Sequence, residues 1–367
     1  MGDASISING KSFGGWKDVV ITRSIQALTS SFVMSYTDTW NASKIESYAA
    51  WFIKPGDSCE VSLNDELILT GYVDQVQNQY DADSHEYSVQ GRDKTGDLVD
   101  CSPGSTLFGD RQNQDILQIA RALTAPFGIS VLVDGTVSLG KRFEKLSIDH
   151  GSSVFDVLET MSKMRGLIFT TDSKGRLYLT SAGGKRARTA LIEGENVLSA
   201  RVTLDHSRRF KDYFVYGQQF TSDESITNIT RRVKGSAKDS VITRYRPKAI
   251  LAEREVTNKE ATTRAQWESS YNAAKATSVE VRIAGWRQGP LVSDPLWEEN
   301  MLVQVTLPFL GIDGEMLIES LAYRLTESEG EITELQLTKP DAWVPNPIQK
   351  DETKQFLDVG KPQPLPK

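Results

Sequence analysis

The sequence predicts a mixed β fold with an α/β insert: two similar antiparallel β-barrel domains, one towards each end of the chain, flank a small α/β region. Three observations carry this. Along residues 66–80, Ile68, Tyr72, Val76 and Tyr80 hold even positions while Gln75, Gln77 and Gln79 hold odd ones, the period of a half-buried strand. After the polar break Asp81-Ala82-Asp83-Ser84, Tyr87, Val89 and Gly91 alternate with Glu86, Ser88 and Gln90, which completes a long hairpin. Residues 316–337 repeat that layout around Glu327-Ser328-Glu329-Gly330, with Leu321, Tyr323 and Leu325 on one face and Leu335 and Leu337 beneath. Between the hairpins, the pattern helix–strand–turn–strand occurs twice in succession.

The elements follow in order. Ile6 and Ile8 open a first strand, residues 19–22 continue the sheet, and Phe32, Met34 and Tyr36 alternate with Val33, Ser35 and Thr37. Residues 43–52 read as a short helix or a loop. Cys59 shares its alternation with Val61 and Leu63, a core-facing strand position. Ile116, Ile119, Ala120 and Leu123 stand at helical spacing, and Pro126 and Gly128 end that helix. A strand over 129–133 and the turn Asp134-Gly135 follow. Ser153 is placed to cap a second helix, with Asp156 three residues on, and Val154, Val157, Leu158 and Met161 form its buried stripe. Gly166 ends it, and strands 167–171 and 176–180 flank Asp172-Ser173-Lys174-Gly175. Beyond the insert, strands are expected over 211–216, 240–245, 279–283 and 302–307. One helix carries Arg264, Trp267, Tyr271 and Ala274. From Pro345 the chain is Pro-rich and polar, and reads as an extended arm that cannot bury enough apolar area to offset its ordering entropy. The expected division is 1–100, 101–190, 191–344 and 345–367: barrel, insert, second barrel with a helical insertion, and arm.

A chain of 367 residues has room for two or three domains. No apolar run approaches the roughly 20 residues of a membrane span, and the N-terminus lacks a basic-then-apolar export signal. Gly2 is a poor match to a myristoylation site. Basic residues number 42 against 49 acidic, net −7, which argues against tight nucleic-acid binding, because phosphate neutralisation supplies most of such affinity. Cys59 and Cys101 read as reduced thiols.

Motifs that carry chemistry are few. Gly10-Lys11-Ser12-Phe13-Gly14 matches a nucleophile elbow by letter, but a strand follows it where a helix is required, so it reads as a tight turn. A phosphate loop fails as well, since its first glycine falls at Ser5. Residues 81–85 open like a calcium loop and lack the turn glycine, so they read as a hairpin tip. His85, His150 and His206 all fall in expected turns, and none stands at metal-ligand spacing from another ligand. Glu193 and Glu195 read as a charged loop rather than a hydrolase pair. Trp286 and Trp297 read as core anchors. Short basic clusters occur at 185–188, 208–209 and 231–234. Most such clusters are solvated surface, and Arg231, Arg232 and Lys234 are the candidate partner-docking residues. Catalytic, metal and cofactor residues are expected to be absent.

Several strings resemble one family, the baseplate hub proteins of Mu-like contractile-tailed phages. They are KPGD at 54–57, TGYVD at 70–74 and GRDKTGDLVDC at 91–101. INGKSFGGWKDVVITRSIQ, SYTDTW, WESSYNAAKATSVEVRIAGWR, LWEENMLVQV and the closing LGIDGEMLIES…GEITELQLTKPDAW are similar too. The resemblance covers most of 1–344 and not the arm. It implies a non-enzymatic homotrimer whose paired barrels make a pseudo-six-fold ring. That ring would join the six-fold tail tube to the three-fold central spike beside other baseplate proteins, with DNA passing through unbound. It implies assembly in the bacterial host cytoplasm and residence in the virion tail. A mainly acidic or neutral bore is expected, because a basic one would hold DNA by counterion release. The hub of a phage-derived bacteriocin or a type VI-like secretion system would share this fold. A cell-wall hydrolase is disfavoured, since about 20 residues after Trp343 are too few for a catalytic domain.

Overall fold

The computed structural model describes residues 4–39, 53–81, 84–221, 229–252 and 256–343. The segment 43–52, the hairpin-tip residues 82–83 and the Pro-rich arm therefore lie outside the described residues. Strand β1 (Ala4–Ile8) turns into β2 (Lys11–Phe13) through Asn9 and Gly10, which both have positive φ. Ser12 of the elbow-like motif is thus a strand residue after a two-residue hairpin turn. Then come β3 (Asp18–Ser24), β4 (Ser31–Thr39), β5 (Ser58–Leu63), and the long hairpin β6 (Glu66–Tyr80) and β7 (Ser84–Asp93). His85 belongs to β7, paired with Tyr80, not to a turn. The polar break is shorter than its composition suggested, because ladder pairing reaches Ser84.

The close of this hairpin explains why its residue string is so particular. A Cβ on Gly91 would meet the Tyr72 carbonyl at 2.1 Å and the Phe32 ring at 2.8 Å, and one on Gly71 would meet the Arg92 carbonyl at 1.9 Å. The buried Asp93 carboxylate accepts from the Ser30 N–H (2.7 Å), the Thr95 N–H (3.0 Å) and the hydroxyls of Thr29 and Thr95. One aspartate thereby closes two backbone turns that would otherwise leave buried donors unpaired. Arg92 forks between Asp74 (2.8 Å) and Asp100 (2.7 Å).

The insert follows as α1 (Gly96–Asp100), β8 (Gly109–Gln114), α2 (Ile116–Thr124), β9 (Val131–Val133), β10 (Phe143–Ile148), α3 (Val154–Arg165), β11 (Ile168–Thr171) and β12 (Leu177–Thr180). Asp115 and Gln118 form a reciprocal capping box on α2, and Ser153 and Asp156 do the same for α3. The apolar stripes of both helices meet in one core with Phe143, Leu146, Leu177 and Leu179, and Leu28 from the β3–β4 loop joins it.

The rest comprises β13 (Lys185–Arg186), β14 (Leu191–Ile192), β15 (Val197–Leu204), β16 (Asp212–Thr221), β17 (Ile229–Lys238), β18 (Pro247–Leu251), α4 (Asn258–Lys275), β19 (Thr277–Ala284), β20 (Met301–Leu307), β21 (Ile312–Thr326) and β22 (Gly330–Thr338). The strand expected over 240–245 is instead the connection from β17 to β18. Asp239 folds the chain back there: its carboxylate accepts from the Val241 N–H and its carbonyl from the Ile242 N–H, leaving Val241 and Tyr245 exposed. Strands β17, β16 and β18 make a separate three-stranded sheet with α4 on one face.

The main sheet runs β15-β19-β22-β21-β3-β4-β7-β6-β5-β1-β2, with β20 on β21. The two β regions expected as separate barrels share this open sheet and one core, and no barrel closes among the described residues. The halves nevertheless repeat. Strands β3, β4, β5, β6 and β7 have the same order and antiparallel neighbours as β15, β19, β20, β21 and β22. Even the irregularities match: β6 skips Asp74 in its ladder with β7, and β21 skips Glu319 in its ladder with β22. The halves join where β3 pairs with β21.

Candidate assembly surfaces

The sheet has a core face and a polar face. Ladder rows fix which residues share the polar one. One row runs Arg92, Ser31, Thr22, Ala322, Glu334, Arg282, Ser199, and another Gln75, Gln90, Val33, Val20, Arg324. Gln77, Gln79 and Ser88 extend this face along the first hairpin. Its arginines are each tied to a carboxylate: Arg92 to Asp74 and Asp100, Arg201 to Glu280 (3.7 Å), Arg282 to Glu329 (2.9 Å) and Glu334 (3.2 Å), and Arg324 to Glu334 (2.6 Å). The Glu329 bond raises the Arg282 pKa, so the guanidinium stays charged and paired. The face is therefore broad, hydroxyl- and amide-rich, and close to neutral.

A second feature ties three segments together. Arg23 of β3 donates through Nε and Nη2 to the Glu299 carboxylate, both at 2.9 Å. It also donates to the carbonyls of Ile68 (3.3 Å) and Thr171 (3.1 Å), and the Thr170 hydroxyl donates to Glu299 (3.4 Å). One fork so links the first half, the insert and the second half. Burial pulls the Arg23 pKa down, but Glu299 more than reverses this and the guanidinium stays charged. Beside it lies a cleft of about 330 Å³ lined by Asp134, Thr171, Tyr178, Lys185 and Glu298 among others. The cleft's charges pair across its wall, as Lys185 does with Glu298 (2.7 Å).

The sequence candidates fall in different places. Arg232 and Lys234 are exposed on the face of the small sheet opposite α4, and Lys234 lies 4.6 Å above the Phe214 ring and 5.7 Å from that of Tyr216. Tyr216 and the exposed Leu251 stand on the same face. The Arg231 side chain lies outside the described residues. The other basic clusters are not free patches: Arg186 pairs with Glu315, and Arg209 is buried in a fork on Asp239. Burial works to raise the Asp239 carboxyl, and the Arg209 fork with the Val241 N–H overcomes it, so it sits below the ordinary carboxylate range. Glu193 accepts from the Phe309 N–H (3.0 Å) and so braces a turn. His150 packs on Phe108, and His206 lies beside Arg209. Trp286 and Trp297 are buried, with their indole N–H groups on the carbonyls of Arg324 and Arg287. Among the described residues no cluster of His, Cys, Asp or Glu is placed to hold a metal, and no helix is long and apolar enough to cross a membrane.

The described residues thus form an open sheet built from two like halves, with a broad polar face whose charges pair with one another. Comparison with known proteins names the assembly. Residues 3–93 match the family "Mu phage baseplate assembly protein GpP-like, N-terminal", 95–181 match "Baseplate hub protein gp44-like, second domain", and 257–346 match "Mu phage baseplate assembly protein GpP, fourth domain". The chain is 31% identical to the baseplate hub protein gp44 of Escherichia phage Mu over 356 residues, covering 95% of this chain and 90% of that protein. The 43 kDa tail protein of prophage MuSo2 from Shewanella oneidensis superposes with a TM-score of 0.80 at 33% identity, covering 94% of this chain and all of that one. A tail protein from Neisseria meningitidis MC58 gives a TM-score of 0.75 at 21% identity, over 94% of this chain and 98% of that one. An E. coli component of the type VI secretion system shares the fold alone, with a TM-score of 0.54 at 11% identity over 94% of this chain and 80% of that one. The chain belongs to the Mu-type baseplate hub family, and its role is structural, in the baseplate of a phage tail.

Proposed function

We propose that three copies of this chain form a ring that serves, without enzymatic activity, as the adaptor between the tail tube and the central spike. The observation that carries this is the repeat: each chain supplies two halves of like strand order, so three chains supply six similar units. Such a ring meets a six-fold tube on one side and a three-fold spike on the other. The polar face forms the wall of its bore. Arginines on that face are already neutralised by carboxylates, which supports passage of DNA without retention.

The divisions 1–100, 101–190, 191–344 and 345–367 serve as barrel-like hub unit, insert, second hub unit and arm. Arg232 and Lys234, with Arg231 next to them in the chain, are the docking residues proposed for another baseplate protein, set on a small sheet that takes no part in the main one. Assembly takes place in the host cytoplasm before the virion leaves. Class averages of the purified chain by electron microscopy test the proposal. Six similar lobes around an open centre support it, and a filled centre or two-fold particles refute it.

A further inference from the structure

The repeat carries a residue-level consequence for how one copy meets the next. Eight strands form an arc, β15-β19-β22-β21-β3-β4-β7-β6, in which every neighbour is antiparallel. Among the described residues, each end of the arc presents an unpaired edge. Strand β5 covers β6 only as far as Tyr72, and the Val73 backbone is taken by Gly56 and Asp57, which leaves residues 74–80 open. At the other end β15 pairs with β19 alone, apart from a bridge at Val197, which leaves residues 198–204 open. Both edges expose large apolar side chains: Tyr80 at 79%, Leu198 at 59% and Leu204 at 63%. A long open edge with exposed apolar residues is a template for another strand. By contrast the far end of the sheet, β2, is three residues long and carries a lysine.

The repeat shows what that strand is. In the halves' common plan, β3 is the counterpart of β15 and β21 the counterpart of β6. The pairing of β3 with β21 inside the chain is therefore the template for pairing β15 with β6 of another copy. We infer that residues 200–204 of one copy pair antiparallel with residues 76–80 of the next, in the register of the internal joint; this rests on the ring proposed above.

The register follows from matched ladders. The skipped residues set Gln75 level with Ser320 and Gln77 with Ala322. Tracing through β7, β4 and β22, β19 sets Val19 level with Ala200 and Thr22 with Thr203. Since Thr22 faces Ala322, Thr203 faces Gln77 of the next copy; likewise Arg201 faces Gln79 and Leu204 faces Val76. Side chains sort correctly in this register. Leu204 and Val76 fall on the core face, while Gln77, Gln79, Arg201 and Thr203 continue the polar face. A one-residue slip would invert both.

The closure is also geometrically sound. Gln75 shares a ladder row with Arg324 yet is the counterpart of Ser320, so the sheet climbs four residues in crossing four strands. At about 3.3 Å per residue and about 4.8 Å per strand, the tilt is about 35°, at the edge of the usual range for closed barrels of ~35–45°. Three arcs at that tilt close a barrel about 45 Å across between backbones, broad enough for a DNA duplex.

Paired cysteines test this in the full chain with Cys101→Ser removing the exposed native thiol. The double variant Gln77→Cys/Thr203→Cys is treated with a short bis-thiol reagent, and the native mass is measured in parallel. The inference expects a covalent trimer on a denaturing gel from the double variant and only monomer from either single variant. A native trimer that does not cross-link, or that cross-links through one cysteine alone, overturns the joint while leaving the ring intact. Absence of a trimer overturns the ring and the joint together.

Discussion

The Arg23–Glu299 fork gives the sharpest stability prediction. Glu299 has 6% of its side chain exposed and Arg23 12%, and they stand 276 residues apart in sequence. Glu299→Ala leaves a guanidinium buried against the Ile68 and Thr171 carbonyls with no counter-charge. Stranding one partner of a buried ion pair costs about 3–5 kcal/mol. Arg23→Met/Glu299→Leu removes both charges together, and leaves two carbonyls short of a donor and the Thr170 hydroxyl short of an acceptor, so its cost is about 1–3 kcal/mol. The double variant is thus more stable than Glu299→Ala alone, an inverted order that additive, independent contacts cannot give. Urea unfolding followed by tryptophan fluorescence reads this from the midpoints. The reasoning is refuted if Glu299→Ala costs under about 1 kcal/mol, or if the double variant is as unstable as the two single losses combined.

Three further outcomes follow from particular contacts. Gly91→Ala drives a methyl into the Tyr72 carbonyl at 2.1 Å, and the overpacking costs about 3 kcal/mol or prevents folding, read by thermal unfolding. The depressed pKa of Asp239 stabilises the fold above the unfolded value of about 3.9, and that stability is lost as pH falls through the lower folded value; Asp239→Asn should flatten the acid limb of stability against pH, and an unchanged limb would contradict the assignment. Cys101 is exposed, whereas burial pushes the Cys59 thiol up to about 12, so one thiol per chain should react with a thiol reagent at neutral pH and two after denaturation.

Much of the fold was legible because local chemistry and burial agree there. The β6–β7 and β21–β22 hairpins alternate, since one face meets a core and the other does not. The end of α2 was legible in Pro126 and Gly128, and the start of α3 in Ser153, whose side chain caps the helix it precedes; the Asp115 cap of α2 was not read. Strand β15 left no signal, because it lies at a sheet end with most residues exposed and a bulge near Val197. In β17 the outward Arg232 and Lys234 masked a strand whose inward residues include a glycine, so it read as a basic cluster. Val241 and Tyr245 carried the alternation of a strand but sit in a turn imposed by Asp239, a tertiary contact with Arg209 that no local pattern contains. The same limit applies to the assembly surfaces. The likeness of the hairpins suggested a repeat, but the β3–β21 joint, which shows how the halves meet, is a non-local pairing.

The proposed closure of this hub as a ring of three copies about a polar bore is open to direct test. Native mass spectrometry of the purified full chain should give a dominant species of three times the 40.8 kDa chain mass. A chain that stays monomeric at high concentration, or forms closed dimers, would contradict it.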